Sequence, residues 1–119
     1  MISKIIPPKK ILFVCTINKM RSRTAHEIYK YDERFEVKSC GTSEYACIPM
    51  NEGLLNWADY IIVMEKRHRN CIHKAFPDIY KTKRIICLYI PDEYDFMQEE
   101  LIRSIKSSFE KVVNQEKIV

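Results

Sequence analysis

Lys10–Ser22 reads KILFVCTINKMRS. Its first half, Lys10–Cys15, is a short continuous apolar run, the pattern of a strand buried on both faces. Its second half runs from Cys15 to Ser22: a cysteine, five residues, an arginine and a serine. From Arg21 to about Lys30, Ala25, Ile28 and Tyr29 recur at helix spacing. A tight turn from a strand into a helix points successive backbone N–H groups inward, and the helix N-terminus adds partial positive charge. Such a cradle suits a tetrahedral dianion, and Arg21 offers a planar fork for two of its oxygens. The same field favours a thiolate at Cys15, the reactive form of a cysteine nucleophile. Asn18 is suited to a mid-loop position at positive φ, and Ser22 is placed to hydrogen-bond back to the sulfur. The bare pattern C-x5-R is common by chance. The alternative is an inert cysteine ending a strand and a surface arginine on a helix. The strand-to-helix placement is what favours the phosphate loop.

Working outward, apolar runs and amphipathic stretches alternate. Phe35–Ser39 has strand alternation, Cys40–Met50 reads as a loop, and Asn51 to about Trp57 as a short helix. Asp59–Met64 (DYIIVM) and Arg84–Ile90 (RIICLYI) are further buried strands. Lys66 to about Phe76 is helical and stops before Pro77. From about Met97 to Asn114 a stripe of Leu101, Ile102, Ile105, Phe109, Val112 and Val113 marks a long helix. This alternation predicts an α/β fold with a parallel sheet covered on both faces. Ligands bind such sheets at the carboxyl ends of the strands, so the loops after Cys15, Ser39 and Ile90 are the candidates.

The 119 residues fit one domain, with residues 1–9 as a tail before the first strand. Apolar residues make up 46% and charged residues 30%, which excludes disorder by composition. No apolar run is long enough to span a bilayer, and Pro7, Pro8, Lys9 and Lys10 break up the N-terminal stretch that resembles a signal peptide. The net charge of +4 is spread among acidic residues, so no nucleic-acid footprint is expected. Five cysteines without a CxxC pair or secretory signal point away from disulfides and zinc and toward the cytoplasm. Cys71 and Cys87 read as core, Cys40 as small apolar packing, and Cys47 as an incidental loop thiol.

Residues 10–22 resemble the opening of the low-molecular-weight protein tyrosine phosphatase family, an apolar strand followed by C-x-G-N-x-x-R-S. Ser39-Cys40-Gly41-Thr42 resembles that family's S-A-G-T, ADYIIVME at 58–65 its third strand, and Pro91-Asp92-Glu93-Tyr94 its D-P-Y loop. The resemblance implies a three-layer sandwich with a four-stranded parallel sheet in the order 2-1-3-4. It implies Cys15 as nucleophile, Arg21 as the phosphate-gripping arginine and Asp92 as general acid. The amides of residues 16–21, hence Thr16, Ile17, Asn18, Lys19 and Met20, form the cradle. Asn18, Ser22 and Ser39 correspond to the network that fixes it, and Tyr45 and Tyr94 to aromatic walls. The chain also departs from the pattern. Ile17 stands where a glycine is usual, Met20 where a second loop cysteine is usual, and Glu93 where a proline follows the acid. Lys19 brings charge to a position that helps select substrate. Between Thr42 and Trp57 the chain is roughly twenty residues shorter than the family norm, which removes a supporting histidine, and neither His68 nor His73 is assigned that role.

One carboxyl group can protonate the leaving oxygen and then activate water. Asp92 follows a buried strand and a stiff proline, whereas a turn-starting Pro-Asp is its structural alternative. The expected activity is phosphomonoester hydrolysis through a phosphocysteine, without metal or cofactor, on a phosphorylated protein: phosphotyrosine first, phosphoarginine second. Nucleic acid and membrane partners are not expected, and the chain is expected to be a monomer or weak dimer. The rival readings are an arsenate reductase using Cys40 and Cys47, a non-catalytic phosphopeptide-binding module, and a sugar-transport phosphocarrier domain, against which Arg21 argues.

Overall fold

A computed structural model describes residues 6–118 of the chain. The run Lys10–Cys15 lies at the centre of the architecture because both of its faces are buried. Strand β1 (Lys9–Cys15) holds Ile11, Leu12, Phe13 and Val14 at 0% exposure. It is followed by α1 (Arg21–Tyr29), β2 (Phe35–Gly41), α2 (Glu52–Trp57), β3 (Tyr60–Val63), α3 (Lys66–Ala75), α4 (Pro77–Thr82), β4 (Arg84–Cys87) and α5 (Glu99–Glu116). The strands form one sheet in the order β2-β1-β3-β4, and every pairing is parallel. The architecture is the expected three-layer α/β sandwich. Among the described residues no helix is long and apolar enough to cross a membrane.

The two-residue period of a strand divides the core. Ile11, Phe13 and Cys15 of β1 face the layer built by α1 and α5, packing with Ala25, Tyr29, Leu101, Ile105 and Phe109. Leu12 and Val14 face the opposite layer, with Leu55, Ile72 and Ile79 of α2, α3 and α4. Phe13, Tyr29, Phe35 and Phe109 form an aromatic cluster, the Tyr29 and Phe109 rings 5.0 Å apart and edge-on. Arg34 bonds Asp32 at 2.8 Å and Glu110 at 2.8 Å, which ties the start of β2 to α5.

Several boundaries differ from the sequence reading. The first strand begins at Lys9, so the expected tail loses that residue, and its residues 1–5 lie outside the described residues. β2 continues to Gly41 because its last residues still pair with Val14 and Cys15. β4 ends at Cys87 because Tyr89 takes a left-handed conformation at φ 56°, although Leu88 and Ile90 still donate to the Val63 and Met64 carbonyls. Pro77 ends α3, as read, and also opens α4, which the sequence reading missed. Proline is favoured in a first turn, where its absent N–H costs nothing. Cys71 is exposed rather than core, because α3 buries the face carrying His68 and Ile72.

Candidate active site

The turn between β1 and α1 is shaped by backbone bonds that all run outward. The carbonyls of Cys15, Thr16 and Ile17 accept from the N–H groups of Thr42, Ser43 and Cys47. Among the described residues, the N–H groups of Thr16, Ile17, Asn18, Lys19 and Met20 donate to no backbone acceptor. A strand-to-helix turn with its first carbonyls engaged and its amides left without a backbone acceptor has the donors to hold an anion. Asn18 provides the one left-handed residue of the turn, at φ 55°. Ile17 needs no positive φ and turns its side chain outward, 47% exposed, so the loop closes without the glycine usual there. Gly41 in β2 allows the close approach. A Cβ there would meet the Thr16 carbonyl oxygen at 2.4 Å and the Asn18 nitrogen at 2.9 Å.

Three buried side chains form a relay inside the turn. Asn18 Nδ2 donates to Ser22 Oγ at 2.7 Å, and Ser22 Oγ lies 2.9 Å from Cys15 Sγ. Because the serine oxygen accepts from Asn18, its own proton is free to donate to the sulfur, the direction a thiolate requires. Ser39 is buried in the neighbouring strand, but its hydroxyl bonds His26 Nδ1 of α1 at 3.0 Å rather than joining this relay. Burial and the Arg23 charge hold His26 below its ordinary pKa, despite Glu27 pulling the other way.

Arg21 is 2% exposed and is held by one nitrogen. Its Nη1 donates to Glu65 Oε1 at 2.6 Å and to the Ile90 carbonyl at 2.8 Å, while Nε lies 3.8 Å from Asp92 Oδ1. Anchoring at Nη1 leaves the Nε and Nη2 edge to grip a ligand as a fork. Burial pushes the Glu65 carboxyl upward, yet bonds from Arg21 and Arg67 outweigh it and hold the group below its ordinary range. Glu65 is therefore the charged partner of the loop arginine.

His68, in the first turn of α3, supports the loop from a third side. Its Nδ1 accepts from the Glu65 N–H at 3.0 Å, which places the proton on Nε2, and Nε2 donates to Thr16 Oγ1 at 2.9 Å. Burial, reinforced by the Arg21 and Arg67 charges, pushes its pKa down to about 4, so the ring is neutral. Neither Glu65 nor His68 was assigned from the sequence. Both follow the carboxyl end of β3, the one strand end left off the list of candidate loops, and the rule that ligands gather at strand carboxyl ends already covered it.

A cavity of about 310 Å³ opens over the turn. Cys15, Thr16, Ile17, Met20 and Arg21 line one side, and Asp92, Glu93, Tyr94 and Asp95 the other. The structure thus brings the expected nucleophile, arginine, acid and one aromatic wall around a single space. Tyr94 packs against the core as well, whereas Tyr45 is 83% exposed and lies outside this lining. Asn18 and Ser22 sit beneath the turn, and Lys19 is exposed beside it. Among the described residues, no group of three or more His, Cys, Asp or Glu side chains is placed to hold a metal ion.

No protein-family model matches the chain, and no curated protein sequence matches it. Solved structures do. A low molecular weight protein tyrosine phosphatase from Streptococcus pyogenes superposes with a TM-score of 0.75 at 17% identity, covering 90% of this chain and 92% of that one. The YwlE arginine phosphatase from Geobacillus stearothermophilus gives 0.65 at 22% identity, covering 92% and 96%. The tyrosine phosphatase Wzb from Escherichia coli K30, solved with phosphate, gives 0.71 at 16% identity, covering 90% and 97%. With the sheet order, the parallel pairing and the loop after the first strand already in place, the chain has the fold of the low molecular weight protein tyrosine phosphatases.

Proposed function

We propose that the protein is a cysteine-dependent phosphomonoesterase acting on aryl phosphates, with protein phosphotyrosine as the leading substrate. The observation that carries the proposal is the turn itself. One sulfur lies 2.9 Å from a serine hydroxyl, in a turn whose amides at residues 16–20 donate to no backbone acceptor among the described residues, beside an arginine fixed through Nη1. Cys15 attacks phosphorus in line with the leaving oxygen, forming an S–P bond as the P–O bond breaks. The amides and the Arg21 fork hold the three equatorial oxygens and bind them more tightly in the transition state. Asp92, beside Arg21 at the cavity wall, protonates the leaving oxygen. It then takes a proton from water, which attacks phosphorus and releases phosphate from the sulfur. The cradle supplies the positive field that a metal ion supplies elsewhere, and no cofactor takes part.

Two observations weigh among the alternatives. An arsenate reductase relay through Cys40 needs a reactive thiol, but Cys40 is 0% exposed and burial, with Cys15 nearby, pushes its thiol up to about 12. A pure phosphopeptide binder has no use for an acid at the cavity wall. Phosphoarginine remains the second substrate, supported by the likeness to an arginine phosphatase. The proposed protein acts in the cytoplasm as a monomer or weak dimer on phosphorylated proteins. The test is para-nitrophenyl phosphate hydrolysis in EDTA by wild type and Cys15→Ser. Turnover that disappears with the sulfur supports the proposal, and turnover that survives refutes it. Parallel assays on phosphotyrosyl and phosphoarginyl peptides decide the substrate.

A further inference from the structure

Beside the catalytic cavity, across a wall made by Met20 and Asp95, lies a second and larger space of about 620 Å³. Asn18, Lys19, Arg23, Cys47 and Phe96 complete its lining. Met20 and Asp95 line both spaces, so the two adjoin at the edge of the turn. The floor is apolar, formed by Met20, Cys47 and Phe96, and Phe96 is 46% exposed. The rim is charged. Among the described residues neither Lys19 nor Arg23 makes a salt bridge, and Asp95 is the one acidic side chain lining this space. The Phe96 wall is held in place: the N–H of Met97, at φ 58°, donates to Thr24 Oγ1 of α1 at 2.9 Å, and Thr24 is fully buried.

The catalytic cavity, about 310 Å³, has room for a small aryl phosphate that does not reach the trough. A phosphoprotein does not end at its phosphorylated residue, and the chain on one side of it must pass over the Met20–Asp95 wall. We propose that the trough is the substrate-selecting subsite, taking from a phosphoprotein a large apolar side chain and a carboxylate that flank the phosphorylated residue. The apolar side chain packs on Met20 and Phe96, and the carboxylate pairs with Arg23 and Lys19. An apolar floor with two cations against one anion at its rim fits that segment better than a basic or wholly polar one. The inference rests on the phosphatase reading, and its test separates the two.

The full chain is assayed on para-nitrophenyl phosphate and on phosphotyrosyl peptides. One pair of peptides places Leu-Glu directly before or directly after the phosphotyrosine, and controls carry Ala-Gln in the same places. Wild type is expected to favour one of the Leu-Glu peptides over its control by about tenfold in kcat/KM, the discrimination an apolar pocket gives. Phe96→Ser and Arg23→Glu each abolish that preference while changing para-nitrophenyl phosphate hydrolysis less than about twofold. Phe96 is partly exposed and Arg23 lies on the outer part of α1, so neither change removes a buried core contact. Equal kcat/KM on all peptides by a wild type active on para-nitrophenyl phosphate overturns the trough alone, as does a preference that survives both variants. A wild type inactive on both kinds of substrate overturns the phosphatase reading and the trough with it.

Discussion

Glu65→Gln tests whether the buried arginine works because a carboxylate holds it. Glu65 Oε1 accepts from Arg21 Nη1 at 2.6 Å and from Arg67 Nη2 at 2.9 Å. Gln is nearly isosteric and keeps a carbonyl acceptor, so it removes the charge and little else. A hydrogen bond between charged groups contributes about 1.5–3 kcal/mol, roughly twice a neutral one. The Glu65 side chain is 30% exposed and partly screened, which selects the lower part of that range. With half of the bond retained by the amide oxygen, the loss is about 0.8–1 kcal/mol, or close to fivefold in rate. The loss falls on interactions with phosphate, because the carboxylate itself touches no substrate. Steady-state kinetics on para-nitrophenyl phosphate should show kcat/KM reduced about fivefold, with the inhibition constant of inorganic phosphate raised alongside it. A variant with kcat/KM and phosphate affinity within about twofold of wild type would refute the idea that this pair orients the guanidinium.

The remaining predictions concern the acid, the loop packing and the response to pH. Asp92→Asn should lower turnover of an aryl phosphate by ~10²–10⁴-fold, the usual contribution of a general acid, and unchanged turnover would show that another group delivers the proton. Gly41→Ala drives a methyl group into the Thr16 carbonyl at 2.4 Å. It should cost about 1–3 kcal/mol in thermal or denaturant unfolding and raise KM, since the strand and the phosphate turn must part. His68 is neutral in the folded protein, with a pKa near 4 against 6.5 for the free group. The unfolded chain therefore binds the extra proton between those values, and stability falls as pH drops from about 6.5 toward 4. At roughly 1.4 kcal/mol per unit this linkage is worth on the order of 3 kcal/mol, visible as a declining melting temperature that His68→Asn flattens. A melting temperature as steep in the variant as in wild type would mean that other groups carry the acid sensitivity.

Much of this architecture was readable because the decisive signals are local. A run such as ILFV admits a strand buried on both faces, and its junction with Arg21 and the helix beyond defines the turn without any distant contact. Asn18 at positive φ and Ser22 next to the sulfur follow from the same few residues. The hidden parts depend on contacts between distant segments. Glu65 reaches Arg21 across 44 positions and His68 reaches Thr16 across 52, and no spacing rule connects such pairs. Cys71 was misread because helix phase decides its side: His68 and Ile72, four apart, face inward, and the residue beside Ile72 cannot. The early end of β4 has no local signal, since a bulky aromatic such as Tyr89 seldom takes a left-handed conformation. Ile17 stands where a glycine is usual. The turn resolves it by placing the left-handed residue at Asn18 and letting Ile17 point to solvent.

The account depends on a covalent bond between phosphorus and one sulfur. Rapid acid quenching of the protein during turnover of para-nitrophenyl phosphate, followed by peptide mass spectrometry, detects that bond directly. Asp92→Ala should accumulate the species, because water activation is slowed. The phosphoryl group is predicted on Cys15 alone, and absent from Cys15→Ser. Phosphate found on another residue, or sustained turnover with no phosphorylated Cys15 at any time, would contradict the mechanism.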